Sequence, residues 1–135
     1  MSELHPRLAA DTSALCETDT YWCRWMNDQR FPWVIVVPKA PDVREWHELD
    51  PTAQQHLLTL VNRVSETLQR LTGAQKMNIG ALGNVVPQLH VHVIARHEHD
   101  PCWPGPVWGQ GRIIPYRPED QPAWLDALRE VISEA

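Results

Sequence analysis

Gln88-Leu89-His90-Val91-His92-Val93-Ile94 alternates polar and apolar side chains from its first residue to its sixth. That is the period-2 signature of a β-strand with one face in a core and the other toward solvent. Leu89, Val91 and Val93 go to the core face, while Gln88, His90 and His92 line up opposite, roughly 7 Å apart at successive positions. Packing alone gives no reason for two successive imidazoles on a strand this apolar, so the segment is a candidate site as well as a candidate strand.

The neighbouring segments supply the rest of the architecture. Lys76 to Ala81, with Met77 and Ile79 alternating, reads as a strand that runs into Leu82-Gly83-Asn84; Pro87 then leads into the histidines. Upstream, Asp50-Pro51 marks a helix start, with a capping carboxylate and a proline at the first helical position. Leu57, Val61, Val64, Leu68 and Leu71 follow at alternating steps of four and three, an amphipathic stripe that Gly73 ends. Trp33 to Val37, closed by Pro38, is β-branched and aromatic and predicts a strand. Tyr21 to Met26 predicts another, and the Asn27-Asp28 turn with Phe31-Pro32 makes the two a hairpin.

Lys39 to Asp50 reads as a connection, and residues 1 to 20 as a short helix or arm and a loop. Residues 96 to 118 are rich in Pro, Gly and Trp and predict irregular structure, with Ile113-Ile114 adding a short strand. Leu125, Leu128, Val131 and Ile132 predict a closing helix that starts near Asp120. Strands, long helix, strands and terminal helix in that order indicate an α+β fold with a largely antiparallel sheet.

The 135 residues suit one domain, spanning 1–135, with ordinary apolar (43%) and charged (21%) fractions. The net charge of -5 argues against a broad nucleic-acid-binding surface, yet leaves room for a small anionic ligand at a locally positive site. Met1 to Ala10 lacks the apolar run of a secretory signal, and no stretch approaches the roughly 20 apolar residues of a membrane span. Cys16, Cys23 and Cys102 are odd in number and scattered, which disfavours a disulfide framework and points to a reducing cytoplasm. Seven of the ten aromatic residues are Trp, so indole rings are available to edge a planar ligand as well as to fill a core.

Three chemistries compete for His90 and His92. They can be hydrogen-bonded residues of a solvated sheet face. They can be two ligands of a zinc ion whose further ligands come from elsewhere, with His97, His99, Asp100 and Cys102 close behind, although no CxxC or HExxH spacing is present. Or they can be catalytic. A neutral imidazole, well populated at pH 7, can attack phosphorus and leave again through a phosphoramidate intermediate. A second imidazole can then hold phosphate oxygens or assist the leaving group. Gly80 and Gly83 just upstream let backbone approach an anion closely.

Asn78-Ile79-Gly80, Gly83-Asn84-Val85-Val86-Pro87 and the run from Gln88 to Ile94 together resemble the signature of the histidine triad (HIT) superfamily. That signature is His-x-His-x-His-x-x, x being hydrophobic, with a Gly-Gln pair shortly before it. Asn27, the Pro-containing turn and Val34-Ile35-Val36-Val37-Pro38-Lys39 are similar to the family's nucleotide-binding hairpin, so the resemblance covers about residues 20–108. It implies a five-stranded antiparallel sheet with one long helix and a C-terminal helix, often a homodimer, and hydrolase or nucleotidyltransferase chemistry at an α-phosphate. By position it implies His90 as nucleophile, His92 as a phosphate contact, Asn84 and Gly83 at the phosphate, and Asn27 at the ribose. The implied ligand is a nucleotide. No cofactor is required, and a divalent cation accompanying a polyphosphate substrate is compatible.

This chain departs from the pattern at three places. Gln88 stands where the first histidine belongs, Trp33 where many members carry a hairpin histidine, and Val85 where some phosphoramidases carry serine. Gln88 can orient a neighbour through its amide but cannot change charge. The alternative reading is therefore a nucleotide-binding module with weak catalysis, and a zinc protein is the third. Lys39 and Arg96 could supply positive charge to phosphates, but such residues are more often solvated. His97 and His99 read as surface residues, Trp103 and Trp108 as pocket rim or dimer contact, and Trp33 as core packing or the flank of a base.

Overall fold

Two apolar faces, one on each side of a single sheet, organise the chain. The computed structural model describes residues 3–133. They run α1 (Pro6–Asp11), β1 (Thr12–Glu17), β2 (Tyr21–Met26), β3 (Trp33–Pro38), a one-turn 3-10 helix (Trp46–Glu48), α2 (Pro51–Thr72), β4 (Lys76–Gly80), β5 (Val91–Arg96) and α3 (Leu125–Ser133). The five strands form one antiparallel sheet in the order β1-β2-β3-β5-β4, with β2 and β3 as the expected hairpin.

Helix α2 starts and stops where its caps dictate. The Asp50 side chain accepts from the Ala53 N–H at 2.8 Å, Pro51 opens the first turn, and Gly73 closes the last at φ +67°. Leu57, Val61, Val64 and Leu68 are buried with Leu60 and Thr67, whereas Leu71 stays 37% exposed. That stripe and Leu125, Leu128 and Ile132 of α3 pack on one sheet face, against Val34, Val36, Val91 and Val93.

The opposite face carries Trp22, Trp33, Ile35, Val37 and Ile94 and is also covered, by Leu8 of α1, Val86 and Val107. The solvated face expected for the histidine strand therefore does not exist. All six positions of β5 are buried, and His92 is 6% exposed. The strand is also shorter than its alternation suggests. Its ladder with β3 begins at Val91, opposite Val36, so Gln88, Leu89 and His90 form the approach to it. Leu89 N–H donates instead to the Val43 carbonyl in the connection after β3.

Three further expectations need correction. The N-terminal segment contains α1, but residues 12–17 form edge strand β1 rather than a loop. Thr-Ser-Ala-Leu-Cys-Glu has weak strand propensity, and its pairing with β2, irregular between Ala14 and Cys16, provides what propensity does not. Ile113 and Ile114 form no strand and are about half exposed; Ile114 instead bonds through its backbone to Gln29 N–H and the Asp28 carboxylate. Helix α3 begins at Leu125, while Asp120 closes an earlier turn with Arg117.

Candidate active site

Strand register brings the site together. In the β3–β5 ladder Ile35 lies opposite His92 and Trp33 opposite Ile94, so Trp33 and His92 are diagonal neighbours on one face. The Trp33 Nε1–H donates to His92 Nδ1 at 3.0 Å in a buried hydrogen bond. An indole N–H can only donate, so Nδ1 holds a lone pair and the ring proton sits on Nε2. Burial, reinforced by the neighbouring His90, lowers the His92 pKa from 6.5 to about 3. His92 is thus a neutral N–H donor at physiological pH.

His90 has the opposite arrangement. Its Nδ1 lies 2.7 Å from the Gln88 carbonyl oxygen, which can only accept. A neutral His90 therefore carries its proton on Nδ1 and keeps a lone pair on Nε2. The two rings meet edge to face with centroids 5.1 Å apart, and each residue is 6% exposed. A nucleophilic nitrogen and a neutral hydrogen-bond donor stand side by side.

Trp108 closes the cluster, its ring 5.5 Å from that of His92. It reaches there across Gly80, which lies opposite His92 in the β4–β5 ladder. A Cβ at Gly80 would stand 3.1 Å from the indole Cη2, so the missing side chain is what admits the ring. The Trp108 Nε1–H is buried without a partner.

The remaining candidates separate. Gln88 contributes its carbonyl to His90, but its side chain turns to the N-terminal arm: Oε1 accepts from His5 N–H at 2.8 Å and Nε2 donates to the Glu3 carbonyl at 3.0 Å. Gly83, at φ +72°, and Asn84 lie exposed in the loop that ends at His90. Asn27 accepts from Tyr116 N–H at 2.9 Å and so holds the segment after the Pro/Trp-rich stretch. Lys39 pairs with Glu17 at 2.6 Å and lies over the Trp22 ring.

Arg96 is neither solvated nor free for phosphate. It is 2% exposed, grips Asp100 through two nitrogens at 2.8 and 3.0 Å, and donates to Asn78 Oδ1 at 2.8 Å. His97 is half-buried, its Nε2 bonded to the Thr72 carbonyl at 2.9 Å, and only His99 is fully at the surface. Among the described residues no three His, Cys, Asp or Glu side chains gather to hold a metal ion. A groove of about 440 Å³ between Tyr21, Lys39 and the first turns of α2 lies on the helix side of the sheet and touches neither histidine. The reading from sequence missed Trp33 as a partner of His92, which depends on register, for which the local pattern holds no signal; Trp108, read as pocket rim or dimer contact, packs against His92.

An antiparallel five-stranded sheet presenting a His-x-His pair beside its central strands defines a class, and the family comparison agrees with it. Residues 7–99 match the HIT domain, and the chain belongs to that family. It is similar to a histidine triad protein from Marinobacter aquaeolei VT8, at 46% identity and a TM-score of 0.94, with 99% of this chain and 98% of that one covered. A histidine triad protein from Sinorhizobium meliloti 1021 is 45% identical, with a TM-score of 0.87 and coverage of 98% and 96%. The bis(5'-nucleosyl)-tetraphosphatase [asymmetrical] of Schizosaccharomyces pombe is 32% identical over 72 residues, half of this chain but only 39% of that protein.

Proposed function

We propose that the chain is a hydrolase or nucleotidyltransferase that cleaves at the α-phosphate of a nucleoside polyphosphate or phosphoramidate through a nucleotidyl intermediate on His90. The observation that carries this reading is the 2.7 Å contact of His90 Nδ1 with the Gln88 carbonyl, which leaves Nε2 as the nucleophile. Nε2 attacks phosphorus, the leaving group departs, and water then cleaves the N–P bond. The His92 Nε2–H donates to a phosphate oxygen as charge develops there. Asn84 and the glycine turn at Gly83 hold further oxygens, and the Asn27 amide nitrogen meets the ribose. Gln88 serves through its carbonyl. No cofactor takes part, although a divalent cation can accompany a polyphosphate. The tetraphosphatase relative supports a nucleotide as ligand.

The protein is further proposed to be a cytoplasmic homodimer. The odd count of three cysteines supports the compartment, and edge strand β4, with Ile79 about half exposed beside the exposed Leu82, supports an interface between copies. Among the described residues no helix is long and apolar enough to cross a membrane. Sedimentation at micromolar concentration should give twice the chain mass, and a monomer there rejects the dimer.

Incubation with a dinucleoside tetraphosphate should yield nucleoside monophosphate. His90→Ala, with its circular dichroism unchanged, should abolish the product; persistence of activity removes His90 as nucleophile. The commitment of the Gln88 amide to the N-terminal arm favours the second reading, a nucleotide-binding module with little turnover. Calorimetric binding of AMP with no product from any substrate class would select it, and no binding at all rejects both.

A further inference from the structure

We propose that Trp33 is a positioning residue that selects the leaving group: by holding His92 as a neutral Nε2–H donor it confines the site to phosphoanhydrides and excludes phosphoramidates. This rests on the nucleotidyl-transfer reading above and narrows its substrate class. The Trp33 Nε1–H occupies the only lone pair of His92 at 3.0 Å, and neither residue is more than 6% exposed. A proton added to Nδ1 would set two N–H groups against each other at a buried contact, with no acceptor for either. Nε2 already bears its proton. His92 can lend a hydrogen bond but cannot carry a proton to a departing group.

Among the described residues no neighbour replaces it. His90 uses Nε2 to form the N–P bond and commits Nδ1–H to the Gln88 carbonyl. Gln88 does not titrate, and its amide is bound to Glu3 and His5. His5 gives its Nδ1 to Arg7 N–H and lines a separate groove with Pro87 and Asp42. Trp108 is a donor only, and no hydrogen bond joins Lys39 or Arg96 to the histidines.

The two substrate classes differ in what they require. When His90 Nε2 attacks a phosphoanhydride, the N–P bond forms and the P–O bond breaks, and its electron pair leaves on an oxygen of the departing phosphate. That group is a stable anion, so no proton is needed. Water then attacks phosphorus, the N–P pair returns to Nε2, and the water proton goes to solvent. Cleavage of a P–N bond would instead put the pair on an amine nitrogen, which must gain a proton to leave.

The test uses the intact protein with a dinucleoside tetraphosphate and an adenosine 5'-phosphoramidate. Wild type should favour the first in kcat/KM by about 100-fold or more, the scale of a missing general acid. Trp33→His, which puts a nitrogen able to accept opposite Nδ1, should narrow that preference by about tenfold or more. The 15N spectrum of wild type should show His92 with Nδ1 unprotonated, and Trp33→Phe should release it to mixed tautomers. Equal cleavage of both substrates by wild type, an unchanged preference in Trp33→His, or a protonated Nδ1 in wild type overturns the proposal and leaves the nucleotidyl-transfer reading standing. Failure to cleave either substrate overturns that reading, and the leaving-group selection falls with it.

Discussion

His90 and His92 stand two positions apart yet carry their protons on different nitrogens, because one faces a carbonyl and the other an indole N–H. The same burial makes His92 a reporter of folding. In the unfolded chain it titrates near its ordinary value of 6.5, and in the native protein at about 3. Between those values the unfolded chain binds the extra proton, so stability rises with pH across the window and is lost as pH falls through it. The slope from this one group approaches about 1.4 kcal/mol per pH unit. Urea midpoints taken from about pH 7 down to about pH 4 should show it, and His92→Phe should flatten the curve by that amount. Parallel curves for the two proteins would mean that His92 accepts a proton without unfolding.

At the level of elements, the turn after β5 is held by charge rather than by apolar packing. Arg96 lies 5.5 and 5.9 Å from the centroids of Phe31 and Trp103 and meets Asp100 with two parallel hydrogen bonds. Burial alone would raise the Asp100 carboxyl, but hydrogen bonds from Arg96 and from the His97 and Cys102 N–H groups outweigh it and bring the pKa to about 2. Asp100→Ala leaves a guanidinium in the core without its anion and should cost about 3–5 kcal/mol in urea denaturation. A loss below about 1 kcal/mol would mean that water reaches Arg96. Helix α2 is simpler. Its caps and stripe are local, and both ends fall where Asp50 and Gly73 put them.

At the scale of the whole molecule, contacts between distant segments cover the second sheet face and enclose the histidines. Gln88 ties down the arm that leads into α1, and Leu8 of α1 joins Trp22 and Trp33 in the second cluster. Gln29 and Asn27 hold the chain at Pro115 and Tyr116, and Arg129 of α3 reaches the Leu15 carbonyl. Gln88→Ala should lose roughly 1–2 kcal/mol of stability, two hydrogen bonds at the usual scale. Trypsin should then cut after exposed Arg7 faster than in wild type, with the rest of the chain still protected. Unchanged cleavage at Arg7 would show that apolar packing of α1 alone holds the arm.

Period, caps and breakers made α2, β3, β4 and the hairpin legible, because each depends on residues within a few positions of one another. The weak strand β1 was not legible, since its pairing with β2 decides it. The sequence by itself determined the α+β order and put His90 and His92 forward as candidates, with the nucleophile role of His90 implied only by the family resemblance. Only the tertiary structure decided which nitrogen of each histidine carries the proton, that both strand faces are covered, and that Gln88 serves the arm. The Trp33–His92 bond spans 59 positions and the Gln88–His5 bond 83. Contacts that long are set by register and by what covers the sheet, and the alternation of Gln88 to Ile94 encodes neither.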